Sequence, residues 1–137
     1  METIKIGFTG NRKGLTPIQE EEIILILDKY DNIIVSHGDC IGSDTDFHNL
    51  CMNYKNTHKN KDITICIFPP NNPISRAFNK GDLLMKEEPY LKRNLNIIKN
   101  CSILIACPID KNREDLRSGT WSTIRKAMKH NLLIYLL

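Results

Sequence analysis

Apolar and polar positions divide the chain into two kinds of segment. Short runs rich in isoleucine, valine and leucine, closed by glycine or polar turns, predict five buried strands, and amphipathic segments predict helices between them. The predicted strands cover residues 4–9, 33–36, 63–68, 103–107 and 132–136. Because strands alternate with helices, the pattern predicts an α/β fold with one parallel sheet and helices on both of its faces.

The predicted helices have recognisable starts. Thr16, Pro17 and Gln19 form a capping box with proline at the first helical position, and this helix should end near residue 30. Either Ser43 or Asp44 is expected to cap a second helix that ends near residue 56. Residues 86–99 predict a third helix whose regular part begins at Pro89, and residues 118–130 predict the last. The stretch 69–85 contains three prolines and predicts a long connection, a candidate lid.

Composition narrows the class of protein. The chain has 137 residues, of which 41% are hydrophobic and 26% charged, as expected for one globular domain over residues 1–137. A net charge of +3 permits an anionic ligand but does not by itself argue for a nucleic-acid surface. Five cysteines without metal-binding spacing indicate a reducing, cytoplasmic setting, and no stretch predicts a signal peptide or a membrane span. We therefore expect no metal, no cofactor and no membrane partner.

Three loops that follow predicted strands combine glycine with basic or hydroxyl side chains. Ligands of open α/β sheets bind beyond the carboxyl ends of the strands, where such loops meet. Glycine lets backbone N–H groups approach a ligand, and the polar side chains can pair with phosphate or ribose. The three loops carry Gly10-Asn11-Arg12, then Gly38-Asp39 with Gly42-Ser43-Asp44, and finally Arg117-Ser118-Gly119-Thr120. Connecting turns with no ligand remain the alternative.

Four stretches in register resemble the SLOG superfamily of Rossmann-like domains, which includes the core of DNA-processing protein A, the LOG (Lonely Guy) phosphoribohydrolases and small YspA-like proteins. "IGFTGNRKG" is similar to the opening strand and its G-x-R turn, and "VSHGDCIGSDTDFHNLC" is similar to the second-strand motif in its YspA-like version. "RNLNIIKNCSILIACP" and "RSGTWSTIRKA" resemble the third helix with its strand and the Arg-Ser-Gly-Thr turn. The resemblance, together with the connection rules, implies the strand order 3-2-1-4-5.

The resemblance also implies a nucleotide-like ligand across these loops. Gly10, Asn11 and Arg12 would face it from the first loop, and the second loop would contribute Gly38, Asp39, Gly42, Ser43 and Asp44. Arg93 and Asn94 would reach it from the third helix, and Arg117, Ser118, Gly119 and Thr120 would cradle a phosphate. Asp44 is equally well explained as a helix cap. The alternative for Arg93 is a solvated surface residue. Trp121 is better explained as a packing residue than as a base-stacking one.

Other clusters of reactive side chains are weaker evidence for a functional site. His37, Asp39, Cys40, Asp44, Asp46 and His48 crowd one stretch, but they show no recognised metal spacing. Asp46 and His48 lie two positions apart in a predicted helix and would not share a face. A nucleophile pair of Cys40 with His37 lacks a visible orienting group.

Three functions are compatible with these residues. In the phosphoribohydrolases a glutamate follows the Gly-Thr turn by three positions, and here that position is Thr123, so the expected catalytic carboxylate is absent. We expect a binding module that senses or sequesters a nucleotide or a nucleotide-derived signalling molecule, which could be cyclic. The resemblance also implies a homo-oligomer. A nucleotide-processing enzyme that uses Asp44, Asp46, Glu114 or Asp115 instead is the first alternative, and single-stranded DNA binding is the second. Neither Arg93 nor Gly119 is expected to lie in the core.

Overall fold

A computed structural model describes residues 2–137, which form one parallel sheet flanked by helices. Strands and helices alternate along most of the chain. Between the third long strand and the third helix lies a long connection that contains a short 3-10 turn at Pro73–Ser75 and a two-residue strand. The elements in chain order are β1 (Ile4–Gly10), α1 (Pro17–Leu27), β2 (Asn32–His37), α2 (Ser43–Thr57), β3 (Asp62–Ile67), β4 (Leu83–Leu84), α3 (Tyr90–Lys99), β5 (Ile103–Cys107), α4 (Gly119–Lys129) and β6 (Leu133–Leu136).

The sheet has the order β4-β3-β2-β1-β5-β6, and every neighbouring pair is parallel. The five predicted strands and their predicted order are confirmed, since they correspond to β3-β2-β1-β5-β6. The prediction of five strands was one too few, because β4 adds an edge of two residues. Leu83 and Leu84 pair with Cys66 and Ile67, and both leucines are exposed, so no buried apolar run marked them as a strand.

Both faces of the sheet are buried, as the continuous apolar runs predicted. Along β5, Ile103, Ile105 and Cys107 join the cluster formed with α1 and α2, whereas Leu104 and Ala106 join the cluster formed with α3 and α4. Successive side chains of a strand point to opposite faces, so a strand between two helical layers needs apolar residues at every position.

The helix starts agree with the sequence prediction for α1, α3 and α4 and differ for α2, and Pro89 directly precedes α3 as its cap residue. Thr16 and Gln19 form the predicted capping box, and the Ser118 hydroxyl accepts from the Trp121 N–H at 3.3 Å. The second helix is different, because neither Ser43 nor Asp44 caps it. Gly42 is the cap residue, with φ of 92°, and a Cβ there would collide with the Arg12 backbone. The close crossing of two loops therefore decides this helix start.

The connection over residues 69–85 is attached to the loop after β2. The buried Asp39 carboxylate accepts from the Arg76 Nε at 3.1 Å and from the Asn79 N–H at 2.9 Å. Its backbone carbonyl also accepts from the Ala77 N–H at 2.8 Å. None of residues 69–85 lines the ligand-sized cleft of the protein, and a role as a lid stays a prediction. The connection supports the β2–α2 loop from outside.

Replacing Asp39 by asparagine tests this attachment. The amide keeps the shape of the side chain, and asparagine tolerates the φ of 58°, but the change leaves the Arg76 guanidinium without its buried counter-charge. We expect Asp39→Asn to lower the free energy of unfolding by about 3–5 kcal/mol, as measured by urea denaturation.

Glu114→Gln is the matched control, because it breaks the exposed ion pair with Arg125. Its expected cost is below about 1 kcal/mol, since solvent screens exposed pairs. Equal small losses in the two variants would contradict the role given to Asp39.

Candidate ligand-binding cleft

A cleft of about 480 Å³ opens at the carboxyl ends of β1, β2 and β5. Its wall is built from the loops after these strands and from the first turns of α3 and α4, so it lies where parallel sheets bind their ligands. Eleven of the fifteen predicted ligand-binding residues line it: Gly10, Asn11, Arg12, Gly38, Asp44, Arg93, Asn94, Arg117, Ser118, Gly119 and Thr120. The structure thus brings together residues that are more than a hundred positions apart.

The other four predicted residues lie outside the wall. The Asp39 side chain holds the long connection, and Gly42 lies at the crossing with Arg12. Ser43 is fully buried, and its N–H donates to the Asn11 carbonyl at 3.0 Å. Trp121 packs against the apolar cluster between α4 and β5, which agrees with the packing interpretation of this residue.

Asn11 holds the first loop in place. Its side-chain amide and its backbone N–H both donate to the Cys107 carbonyl at 3.0 Å, and its Oδ1 accepts from the N–H groups of Lys13 and Gly14. This arrangement joins the ends of β1 and β5. The exposed Arg12 follows directly, and it is therefore presented at the cleft from a fixed backbone.

Arg93 is buried, contrary to the expectation of a surface residue outside the core. Only 3% of it is exposed, and its Nη1 donates to the carbonyls of Gly38 and Phe68, the latter at 3.1 Å. Its Nε donates to the Asn94 Oδ1 at 2.7 Å. A Cβ on Gly38 would overlap the guanidinium, so the glycine makes room for this contact. Removing Arg93 would leave buried carbonyls unpaired and is not a clean test of binding.

The turn before α4 has the properties expected of an anion site. The first N–H groups of a helix have no acceptor inside the helix, and the helix dipole favours negative charge there. Ser118, Gly119 and Thr120 place this end of α4 in the cleft wall, and the exposed Arg117 precedes them. A Cβ on Gly119 would meet nothing closer than the Tyr90 Cε1 at 3.9 Å, and Gly119 has no left-handed φ. The protein does not need glycine here for packing, so the missing side chain leaves the space in front of the helix free.

Tyr90 and Cys40 are among the residues of the wall that the sequence did not indicate as ligand-site candidates. The Tyr90 hydroxyl lies 3.3 Å from the Cys40 Sγ and 3.4 Å from the Arg12 Nη2. Burial, together with the hydrogen bond to Cys40, raises the pKa of Tyr90, so the hydroxyl keeps its proton at neutral pH. Only the structure brings Tyr90 beside the loops after β1 and β2.

His37, the last residue of β2, pairs with His48 of α2. The His37 Nε2 lies 2.9 Å from the His48 Nδ1, and the Asp39 N–H donates to the His37 Nδ1 at 3.0 Å. Since Nδ1 accepts, the proton of neutral His37 resides on Nε2 and is donated to His48. Burial, reinforced by His48, lowers the pKa of His37 to about 3. His37 is thus not placed to activate Cys40. Over residues 2–137, no three His, Cys, Asp or Glu side chains gather as they would around a metal ion.

The chain matches no protein-family model and no curated protein. It does match solved structures over nearly its whole length. DNA processing protein A from Streptococcus pneumoniae superposes with a TM-score of 0.64 at 15% identity, covering 98% of this chain and 50% of that protein. The molybdenum cofactor binding protein from the phototrophic bacterium Rippkaea orientalis gives a TM-score of 0.59 at 17% identity, covering 99% of this chain and 77% of that protein.

The chain shares a Rossmann-like fold with these two structures. It spans half the length of the first of them. The Rossmann-like fold that the resemblance implied is therefore confirmed.

Thr123 lies in the wall of the cleft, at the position where the resemblance to phosphoribohydrolases implies a glutamate. It is buried, and its hydroxyl donates back to the Gly119 carbonyl at 3.0 Å, so it brings no charge. Of the four substitute carboxylates considered, Asp44 and Asp115 line the cleft. Asp46 accepts from the Leu15 N–H, and Glu114 pairs with Arg125.

Asp44 is the buried carboxyl group of the cleft. Burial raises its pKa to about 6, although Arg93 and the Cys40 N–H, which donates to Oδ2 at 3.1 Å, act in the opposite direction. A carboxyl group with this pKa can hold or release a proton near neutral pH.

Within the described part of the chain, no helix is long and apolar enough to cross a membrane.

The raised pKa of Asp44 makes stability depend on pH. The folded pKa exceeds the unfolded value of 3.8, so the group favours folding at pH 4 and this contribution is lost as the pH rises through about 6. An asparagine at this position has no charge to bury and still accepts from the Cys40 N–H. We therefore expect Asp44→Asn to gain stability relative to the wild type by about 2 kcal/mol between pH 4 and pH 7.

Urea denaturation across this pH range measures the difference. The buried histidines contribute equally to both proteins and cancel in the comparison. A stability difference that does not change with pH would show that Asp44 titrates normally.

Proposed function

We propose that the cleft binds a nucleotide or a nucleotide-derived signalling molecule, and that the protein acts by sensing or sequestering it. The observation that carries the proposal is the Ser118-Gly119-Thr120 turn, where a helix N-terminus opens into a cleft and the nearest residue has no side chain. Backbone N–H groups at such a turn are suited to a phosphate group.

Charge around the cleft supports an anionic ligand. Arg12, Lys13 and Arg117 are exposed and line the cleft, and none of them has a carboxylate partner within residues 2–137. Cations held near one another without counter-charges favour binding of an anion between them. Arg93 adds positive charge behind the wall, although its hydrogen bonds are committed to the protein.

The size and lining of the cleft support a ligand larger than phosphate. Its volume lies within the roughly 300–1,000 Å³ that is usual for small-molecule sites. Apolar side chains also reach the cleft, among them Phe8, Ile97 and Ile109. A phosphate, a sugar and a flat base together match a site with one polar end and apolar walls.

Ligand-dependent stabilisation tests the proposal. A nucleotide at about a hundredfold excess over its dissociation constant should add about 2.7 kcal/mol to the free energy of unfolding. For a domain of this size the melting temperature should rise by roughly 5–10 °C. Gly119→Val should remove most of this rise, because its side chain enters the space that the phosphate needs, while the protein stays folded.

The control is Lys129→Val at the opposite end of α4, which is exposed and outside the cleft. The ligands are the nucleoside mono- and diphosphates, cyclic nucleotides and a single-stranded oligonucleotide. A panel without effect on a protein shown by native mass spectrometry to be free of ligand would refute the proposal. A response to the oligonucleotide alone would favour single-stranded DNA binding.

A nucleotide-processing enzyme is the second candidate, and Asp44 is the observation that favours it. Its buried carboxyl group lies in the cleft and has a pKa of about 6, which suits general acid–base chemistry near neutral pH. An N-glycosidase also needs a carboxylate beside the sugar, and Thr123 cannot supply one.

We expect the wild-type protein to release no free base from nucleoside monophosphates, because the glutamate position is Thr123. Chromatography of overnight reactions detects the base directly. Base release that disappears in Asp44→Asn and persists in Glu114→Gln would establish the enzyme and identify its carboxylate.

A further inference from the structure

Tyr90 begins α3 in the wall of the cleft and contacts two of its cations. Its hydroxyl lies within hydrogen-bonding distance of the Arg12 Nη2, and the Arg93 guanidinium lies over its ring at 4.5 Å from the centroid. The ring is thus held at its hydroxyl and on one face. A side chain that is already ordered loses little entropy when a ligand packs on it.

The rest of the ring borders the cleft beside the proposed phosphate site. Tyr90 is 37% exposed, and its Cε1 lies 3.9 Å from the point where a Cβ of Gly119 would be. A ligand whose phosphate occupies the α4 turn would therefore have this ring beside it.

Among the described residues of the cleft wall, Tyr90 is the one aromatic side chain with an exposed ring. Phe8 also lines the cleft, but it is 1% exposed and stacks on Phe47 at 4.3 Å between centroids. Trp121 packs in the apolar cluster instead. Stacking of a base on an aromatic ring is a common source of nucleotide affinity.

We propose that the Tyr90 ring is the surface on which the base of the nucleotide stacks, and that its hydroxyl positions Arg12 for the phosphate. This inference rests on the proposed function and adds a specificity: the ligand carries a flat purine or pyrimidine ring. A sugar phosphate without a base lacks the contact with the Tyr90 ring.

Two variants and two ligands separate these roles. Calorimetric titration with adenosine monophosphate and with ribose 5-phosphate gives the ratio of the two affinities, which reports the contribution of the base. In Tyr90→Leu we expect this ratio to fall about tenfold, because stacking is lost. In Tyr90→Phe the ring remains and the ratio stays unchanged, but both ligands bind about threefold more weakly because Arg12 loses its hydrogen bond.

Leu91→Ala is the control for changes in α3, since Leu91 is 65% exposed and lies outside the cleft. It should bind both ligands as the wild type does, and melting curves confirm that each variant is folded. An unchanged ratio in Tyr90→Leu would overturn the inference and leave the phosphate site intact. Equal wild-type affinity for the two ligands would have the same meaning. If the wild type binds neither, the titrations are made with a nucleotide of the panel that raises the melting temperature and with the sugar phosphate of that nucleotide, and a panel without any such nucleotide would refute the proposed function itself.

Discussion

The cleft depends on one buried cation. The guanidinium of Arg93, on α3, donates to the carbonyl of Gly38 after β2 and to that of Phe68 after β3, so it holds the carboxyl ends of two neighbouring strands at a fixed distance from the helix. A charge removed from water needs hydrogen bonds on most of its donors, and carbonyl dipoles supply them here. Gly38 has no side chain where this cation lies. The floor of the cleft is therefore defined by an arginine that a ligand need not touch.

This arrangement separates structural cations from available ones. Arg76 is paired with Asp39 and Glu87, and Arg93 is paired with backbone carbonyls, so both stabilise the loops. Arg12, Lys13 and Arg117 stand at the cleft with their charge uncompensated by carboxylates of the described chain. A mild net charge can thus coexist with a cleft lined by more basic than acidic side chains, because a local field depends on where charges lie and not only on their sum.

The sequence predicts what depends on repeated local patterns. The strand at Ile103–Cys107 and the capping box of Thr16 and Gln19 were predictable, because apolar runs and caps have local causes. Strand β4 was not, since its leucines are exposed and its two residues exist only as partners of β3. The burial of Arg93 and the place of Tyr90 arise from elements far apart in the chain. The cap position of α2 is occupied by Gly42 and not by Ser43 or Asp44 for a similar reason, because the backbone of Arg12 crosses at that point.

The pair of His37 and His48 links two positions that cannot change independently. One imidazole donates to the other across 2.9 Å, so each ring needs a partner of opposite hydrogen-bonding character. An apolar residue at either position would leave the remaining ring buried with an unsatisfied nitrogen, a larger cost than losing both polar groups together. Evolution can therefore replace this pair most easily in a single joint step, or through an intermediate such as glutamine that both accepts and donates. Related chains should show the two positions varying together, even though neither residue lines the cleft.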